Sequence, residues 1–340
     1  MEDRNFQLVF TIIIIAYNRR TFLSDSVRSV LSQNFPRENY EIIVSKNFED
    51  IEIDRFLLQN DVKIIMNEKP GIGQRLNECI LKSRGRIIAF LEDDDSWVKD
   101  RLSIVLDVYN ANKQLGYYHN SYIPVNDAGK TTREWIHHKN IRNTSYITGG
   151  TGYGDVLPSL MRFSPDFNIS SICISKELAV QIVGNLSKLS TAIDLYFFLT
   201  ALEFNFDLFL DERRLTRYMI HQSNMNKSGN FPEFILASLK VYREDLESTK
   251  YIHELLNNKN LKRIASSYSL EWEIRINLLQ GRGNRREMLR SIFSRVELFF
   301  YRRDHSKYFF PISLLSIIFP VVVRRGYYFY LKNSLLKYKK

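Results

Sequence analysis

Cysteine is scarce in this chain of 340 residues, which contains only Cys79 and Cys173. Two thiols in apolar surroundings do not make the disulfide framework of a small secreted domain, and they suit a reducing compartment. Residues 1–5 lead directly into the first apolar run, which ends in Tyr17, Asn18 and Arg19 rather than at a cleavage site, so no secretory signal is expected. Together these absences predict a cytoplasmic protein.

The sequence also lacks internal repeats, low-complexity tracts and any apolar run of the roughly 20 residues that a transmembrane helix needs. The longest apolar stretch, Phe309–Val323, contains two serines and is interrupted by Pro311 and Pro320. Its flanking arginines and aromatic residues are typical of a segment that lies in the membrane interface. A helix buried in the core of a C-terminal unit is the alternative.

Acidic residues are nearly absent from residues 301–340, where Asp304 is the single acid among nine lysines and arginines. The segment therefore carries a net charge of +8, of the chain's total of +10. Such a stretch next to apolar residues predicts an anionic membrane surface as a partner. No recognition motif for nucleic acid accompanies the charge, so nucleic acid is not an expected partner.

Strands and helices alternate in the N-terminal half. Short runs rich in β-branched residues predict strands at Leu8–Ile15, Tyr40–Val44, Val62–Met66 and Arg86–Leu91. Apolar residues three or four apart predict helices at Arg20–Gln33, Ile51–Gln59 and Gly73–Ser83. Continuously apolar strands are buried on both faces, which predicts an α/β fold with a mostly parallel, doubly wound sheet.

Helical patterns dominate from Phe231 onward, at Phe234–Leu256, Leu261–Leu279 and Arg286–Tyr301. A chain of this length holds one α/β domain and a smaller second unit. We therefore expect an α/β domain at residues 1–225 and a helical, basic, membrane-associating region at residues 226–340.

Four consecutive acids, Glu92–Asp95, follow the predicted strand that ends at Leu91. Their mutual repulsion needs compensation, and divalent cations such as Mg²⁺ and Mn²⁺ prefer oxygen ligands of this kind. Open α/β sheets also bind ligands at the carboxyl ends of their strands. The run therefore predicts a divalent metal site. The alternative is that Asp95 and Ser96 cap a helix that begins near Trp97.

Several segments together resemble one enzyme family. In chain order they are TIIIIAYNRR (Thr11–Arg20), SVLSQ (Ser29–Gln33), RIIAFLEDDDSW (Arg86–Trp97), NISSICISKE (Asn168–Glu177) and YMIHQSNMNKS (Tyr218–Ser228). This series is similar to that of family 2 glycosyltransferases with the GT-A fold. The resemblance implies inverting transfer of a sugar from a nucleotide-diphosphate sugar to a hydroxyl of a glycan or lipid-linked saccharide. It also implies a divalent metal, Mn²⁺ or Mg²⁺, and work at the cytoplasmic face of a membrane.

The family pattern implies a role for particular residues. Asp194 matches the general base, although Ser190, Thr191 and Asp194 are also candidate caps of the helix that follows. Asp94 and His221 match metal ligands, and Glu92 contacts either the metal or the donor ribose. The residues expected to bind the donor nucleotide are Ala16, Tyr17, Asn18, Arg19, Asn47, Asn77, Glu92 and Asp93.

The departures from the family pattern concern the nucleotide. The family usually has VDDGS after the second strand, and its first Asp reads the base; here the residues are Ser45, Lys46, Asn47 and Phe48. The identity of the base is therefore not carried over. Ile193 stands where the family more often has Glu. The segment that begins at Gly71, GIGQRL, follows Pro70 and lacks a third glycine, which excludes a dinucleotide fingerprint.

Three other functions remain open at this stage. A sugar nucleotidyltransferase shares strand-end carboxylates, but it needs a Gly-rich triphosphate loop near the N-terminus that Ile15–Arg20 does not provide. A non-catalytic glycan-binding relative keeps the fold without donor turnover. A basic scaffold protein binds anionic lipid or nucleic acid and no donor.

Overall fold

The computed structural model describes residues 8–132, 140–150, 157–161, 164–220, 231–280, 289, 292–293 and 306–336. The chain divides into two compact units. The sheet unit comprises residues 1–125, 133–151 and 163–219, and the helical unit comprises residues 126–132, 152–162 and 220–340.

Within the described ranges, nine strands form a single sheet in the sheet unit. They are β1 (Phe10–Ala16), β2 (Tyr40–Lys46), β3 (Val62–Met66), β4 (Ile87–Glu92), β5 (Ser96–Trp97), β6 (Leu115–Val125), β7 (Ser145–Ile147), β8 (Ile172–Ser175) and β9 (Asp207–Met219). The strand order is β3-β2-β1-β4-β8-β6-β9-β5, and β7 pairs with β9. β1 to β4 pair in parallel, as does β6 with β9, whereas β8 is antiparallel to both of its neighbours.

The helices of the sheet unit connect these strands. They are α1 (Leu23–Leu31), α2 (Ile51–Gln59), α3 (Ile72–Leu81), α4 (Arg101–Ala111), α6 (Lys176–Leu186) and α7 (Ile193–Glu203). The β1 side chains are buried throughout, because helices cover both faces of the parallel part of the sheet. The predicted α/β fold with a mostly parallel sheet and C-terminal helices is confirmed.

The parallel register determines where the functional loops begin. Ala16, the last residue of β1, is paired with Lys46 at the end of β2, and Ile15 is paired with Glu92 at the end of β4. The segments after these three strands therefore leave the sheet at the same edge.

The predicted helix near Trp97 is wrong. Ser96 and Trp97 form β5, which is antiparallel to Thr216 and Arg217 of β9, and the helix begins only at Arg101. The Trp97 indole N–H donates to the Ser170 carbonyl at 2.9 Å. Strand pairing and this hydrogen bond hold the segment extended. Both cysteines are free and buried, as the predicted absence of disulfides requires.

The helical unit contains α5 (Leu157–Leu160), α8 (Phe231–Leu255), α9 (Lys259–Gln280), α10 (Ser306–Ile318) and α11 (Pro320–Leu336). One apolar cluster joins Leu270 and Ile274 of α9 to Ile317 of α10. A second cluster joins α8 and α9 to Tyr327 and Tyr328 of α11. Most of the helix predicted at residues 286–301 lies outside the described residues. Among those that are described, no helix is both long and apolar enough to cross a membrane.

Candidate active site

The acidic segment Glu92–Asp95 is held by hydrogen bonds from three other parts of the sheet unit. The Glu92 backbone N–H donates to the Ser170 hydroxyl at 3.0 Å, and the Ser26 hydroxyl donates to the Asp95 carbonyl at 2.6 Å. The Met219 N–H donates to Asp95 Oδ1 at 2.8 Å. Asp95 therefore links the end of β4 to the end of β9. The alternative interpretation of Asp95 and Ser96 as helix caps is wrong, because α4 begins five residues later.

Three of these acids have carboxylate oxygens close enough to share one cation. Glu92, Asp94 and Asp95 each offer an oxygen, and these oxygens all lie within 4.8 Å of one another. Asp95 Oδ2 is buried and has no hydrogen-bond partner. A hard divalent cation prefers oxygen ligands of this kind, so the residues present fit the predicted metal. His221, the other predicted ligand, lies outside the described residues.

Burial disfavours the ionised forms of these carboxylates. The pKa of Glu92 is raised to about 8, first by burial and then by the charges of Asp94 and Asp93. Burial also raises the pKa of Asp95 well above its usual range, with the charges of Asp94 and Glu92 adding to the effect. A nearby positive charge would lower both pKa values, since it favours the ionised carboxylates.

Arg19 supplies one such charge from the loop after β1. Its Nη1 lies 2.8 Å from Asp94 Oδ2, its Nε donates to Asp93 Oδ2 at 3.0 Å, and its Nη2 donates to Asp93 Oδ1. Burial alone would lower the pKa of Arg19. The hydrogen bond to Asp93 and the charges of Asp94, Asp93 and Glu92 have the larger, opposite effect, so the pKa is raised above its ordinary value. The predicted donor-binding residues Arg19 and Asp93 are therefore paired with each other.

Other predicted donor-binding residues lie at the same sheet edge. Ala16 is buried at the end of β1. The Asn18 N–H donates to Asn47 Oδ1 and the Asn47 amide donates to Asn18 Oδ1, both at 2.8 Å, so the β1 and β2 loops are joined. Asn18 has φ of 55°, a left-handed conformation that Asn tolerates better than most residues. Tyr17 is half-buried beside this pair.

Arg75 is a candidate that the sequence analysis did not include. Its guanidinium lies over the Tyr17 ring, with 4.1 Å between Cζ and the ring centroid, and its side chain is 5% exposed. Its Nε and Nη1 are buried without hydrogen-bond partners, and burial lowers its pKa. Buried donors that lack an acceptor indicate a missing anionic or carbonyl ligand. The signal in the sequence was the stretch Gln74–Asn77, where Arg75 stands one position away from the Arg of the family pattern.

The side chain of Asn77 makes its contact within the helical layer of the sheet unit. Its amide donates to the Val183 carbonyl of α6 at 2.5 Å, so the contact joins α3 to α6. Lys46 is fully buried, and its ammonium lies 2.8 Å from Asp54 Oδ1 and also donates to the Phe48 carbonyl. Lys46 is therefore engaged inside the sheet unit, and Asp50 caps α2 by accepting from Ile53 N–H. The contacts of these three side chains are thus with α6, with Asp54 and Phe48, and with the first turn of α2.

Asp194 and Glu92 line the same pocket, of about 290 Å³. Asp194 is half-buried in the first turn of α7. α7 begins after Ala192, which has φ of 57° and makes no side-chain cap hydrogen bond. The N-cap residue is therefore Ala192 and not Ser190, Thr191 or Asp194, although Asp194 Oδ1 accepts from the Leu195 N–H at 3.0 Å within the first turn. Ser190, Thr191, Tyr218, Phe167 and Asn168 contribute to the remaining wall.

The family is decided by a match to a sequence model. The model described as "Glycosyl transferase family 2" matches residues 11–167, which include β1 to β6 and the acidic segment. Residues 11–167 belong to glycosyl transferase family 2. The resemblance seen in the sequence is thereby confirmed.

Two curated relatives each match part of this chain. The candidate teichuronic acid biosynthesis glycosyltransferase TuaG of Bacillus subtilis is 28% identical over 142 residues, which are 39% of this chain and 54% of TuaG. The Escherichia coli protein WfaP, a UDP-Glc:α-D-GlcNAc-diphosphoundecaprenol β-1,3-glucosyltransferase, is 34% identical over 119 residues, 33% of this chain and 46% of WfaP. The matches thus span about half the length of these relatives.

A solved structure matches nearly the whole chain. S. aureus TarS, residues 1–349, in complex with UDP-GlcNAc, aligns with a TM-score of 0.54 over 97% of this chain and 92% of that 1–349 chain. The sequence identity of 13% limits this likeness to the fold. The alignment confirms the predicted GT-A fold with its C-terminal helices.

Proposed function

We propose that this family 2 chain is a metal-dependent, inverting glycosyltransferase that uses a nucleotide-diphosphate sugar. The observation that carries the proposal is that Asp194 lines one pocket with Glu92, whose carboxylate also belongs to the oxygen cluster with Asp94 and Asp95 at the carboxyl end of a parallel strand. In open α/β sheets this edge binds ligands. Two kinds of carboxylate chemistry, cation binding and proton abstraction, are thus available at one site.

The donor nucleotide would lie along the loops after β1, β2 and β4. Tyr17, Asn18 and Asn47 form one side, and Arg75 supplies two buried N–H donors that lack an acceptor. A diphosphate oxygen or a base carbonyl would satisfy these donors. WfaP uses UDP-Glc, which makes uridine nucleotides the first donors to test.

Glu92, Asp94 and Asp95 would hold the divalent cation, Mn²⁺ or Mg²⁺, with His221 as a further candidate ligand. When bound, the cation neutralises charge that builds up on the departing diphosphate. Asp93 would remain with Arg19, whose guanidinium also pairs with Asp94.

Asp194 would act as the general base. As the acceptor oxygen attacks the anomeric carbon and the bond from that carbon to the diphosphate oxygen breaks, the hydroxyl proton passes to the Asp194 carboxylate. The nucleoside diphosphate leaves on the opposite face, so the configuration inverts in one step. The pocket that Asp194 shares with Glu92 supports this assignment.

The acceptor would be a glycan or a lipid-linked saccharide. WfaP acts on a diphosphoundecaprenol-linked sugar, which supports the lipid-linked class and work at the cytoplasmic face of a membrane. We assign catalysis to residues 1–225 and expect the basic helical region, residues 226–340, to bring the enzyme to that acceptor.

The proposal is tested by incubating the full chain with UDP-, GDP- and dTDP-sugars in the presence of Mn²⁺ or Mg²⁺ and measuring nucleotide release. We expect slow hydrolysis of one donor class that EDTA abolishes, and faster release once an acceptor glycan is added. Pyrophosphate release from a nucleoside triphosphate and sugar phosphate would instead identify a nucleotidyltransferase. Glycan binding without turnover of any donor would identify the non-catalytic relative.

A further inference from the structure

The last two helices of the helical unit expose large apolar side chains. The most exposed are Leu315, Ile318, Phe319, Val321, Val322 and Phe329, with Val322 69% and Val321 63% exposed. Leu315 and Ile318 belong to α10, Val321, Val322 and Phe329 belong to α11, and Phe319 lies between the two helices. We call these six residues the apolar face. Several large apolar side chains exposed on neighbouring parts of a folded chain mark an interaction site more often than chance.

Other side chains of the same two helices are packed inside the helical unit, and this packing determines which residues form the exposed apolar face. Ile317 of α10 lies in the cluster with Leu270 and Ile274, and the neighbouring Ser316 is buried as well. On α11, Tyr328 makes edge-to-face contacts with Phe231 and Phe234. A helix that is apolar all round but packed on one side leaves its outer side in need of a partner.

Charge indicates what that partner is. Residues 305–340 contain seven lysines and arginines and no acid. Arg325 is exposed and lies at helical spacing between Val322 and Phe329, so a cation stands within the apolar face. We propose that the apolar face and its basic residues form a docking surface for an anionic phospholipid membrane. Inserted apolar side chains and cations near lipid headgroups are the two contributions that hold an interfacial helix.

A second copy of this chain fits the surface less well. A two-fold interface would bring the same patch of each copy together and place Arg325 near a like charge, with no acid in the segment to pair it. Nucleic acid would use the cations and would stack bases on Phe319 and Phe329, but it would leave the four aliphatic side chains of the apolar face in water. A bilayer interface satisfies both sets of groups.

Membrane docking deepens the proposed transfer to a lipid-linked acceptor and rests on it for its biological purpose. The binding itself requires neither donor nor turnover. Loss of sugar transfer would therefore bear only on the proposed function, and loss of vesicle binding only on the docking surface.

The experiment is co-sedimentation of the full chain, without nucleotide, with vesicles of phosphatidylcholine alone or mixed with phosphatidylglycerol. Val321→Asn tests the apolar face, and Val180→Asn is its matched control because both valines are 63% exposed on helices. Arg325→Gln tests the charge, and Arg55→Gln, an exposed arginine of α2, is its control. Thermal unfolding of each variant confirms that it is folded.

We expect binding to the phosphatidylglycerol vesicles that weakens as NaCl rises from about 0.05 M to about 0.5 M. Arg325→Gln should lower the partition coefficient about fivefold and Val321→Asn about tenfold, while both controls bind like the native chain. Equal binding by test and control variants would overturn the proposal. An absence of vesicle binding at low salt would also overturn it. If the chain instead associates with itself or binds RNA, and Val321→Asn or Arg325→Gln abolishes that binding, the surface has a different partner.

Discussion

Arg19 and Asp94 are joined by an ion pair in which Nη1 and Oδ2 lie 2.8 Å apart. The two residues come from the loops after β1 and β4, which are adjacent and parallel. The same guanidinium also binds Asp93. The proposed metal ligand Asp94 thus already faces one fixed positive charge, which a bound cation has to tolerate.

We predict that Arg19→Gln binds Mn²⁺ at least tenfold more tightly than the native chain. Two like charges a few ångströms apart repel by about 3 kcal/mol at an effective dielectric constant of about 20, so removing the guanidinium favours the metal. Isothermal titration with Mn²⁺ in the absence of donor measures the effect. Arg20→Gln is the control, since Arg20 is exposed and its guanidinium lies over Phe48, 5.3 Å from the ring centroid. Weaker Mn²⁺ binding by Arg19→Gln would show that Arg19 orients Asp94 for the metal.

Asp94→Asn should lose most turnover and should bind donor no better with Mn²⁺ than without it. The substitution removes one carboxylate of the oxygen cluster while keeping the side-chain volume. The substitution relieves repulsion with Glu92 and Asp95 but also removes the ion pair with Arg19, so the stability of the metal-free protein should change little. Donor hydrolysis and thermal unfolding test the two halves of this prediction, with Asp107→Asn, an exposed acid of α4, as the control. Full activity of the native enzyme in EDTA would contradict it.

Asp194→Asn should reduce sugar transfer by roughly a hundredfold or more while donor affinity stays near the native value. The amide keeps the shape of the side chain but cannot accept the acceptor proton. Transfer rates and donor titration are compared with those of Glu203→Gln, which alters the far end of the same helix. Proton NMR of the product from the native enzyme reports the anomeric configuration. Unchanged transfer, or a retained configuration, would show that the base or the mechanism is assigned wrongly.

Acidification should destabilise the sheet unit through His119. Its Nε2 lies 2.6 Å from the Phe167 carbonyl, and burial lowers its pKa to about 4. Between pH 4 and the unfolded pKa near 6.5 the unfolded chain binds the additional proton, so stability is full above pH 6.5 and falls as pH decreases. The loss is roughly 3 kcal/mol at most. The unfolding free energy, measured with urea at each pH, should depend less steeply on pH in His119→Gln than in the native chain. His253→Gln, which alters a half-exposed histidine, should change this dependence little.

Gly73→Ala should cost roughly 2 kcal/mol or more of unfolding free energy. A Cβ on Gly73 would lie 2.1 Å from the Leu186 carbonyl oxygen and 2.4 Å from that of Leu189, so backbone has to move. Gly184→Ala is the matched control in α6, where no atom lies within 4 Å of the new Cβ. That substitution should stabilise the protein by about 0.5–1 kcal/mol. Equal effects of the two variants in urea unfolding would contradict the close approach of α3 to residues 186–189.

Local pattern predicted much of the fold. The apolar runs at Tyr40–Val44 and Val62–Met66 are strands, and the helix over Ile51–Gln59 has the predicted bounds. Side-chain periodicity and β-branching act over a few residues, so they are readable without knowledge of the partner elements. The helix expected near Trp97 failed because β5 is formed by pairing with β9, more than a hundred residues away.

One part of the candidate site was also predictable from the sequence, and another part depended on the tertiary structure. The run Glu92–Asp95 is contiguous, and the sequence alone determined that four carboxylates would lie at a strand end. Tertiary structure decided that Asp93 pairs with Arg19, that Asp95 receives the Met219 N–H, and that Asp194 shares a pocket with Glu92. Those relationships depend on which strands are neighbours and on the angle at which each loop leaves the sheet, because hydrogen bonds and ion pairs act over a few ångströms whatever the separation along the chain.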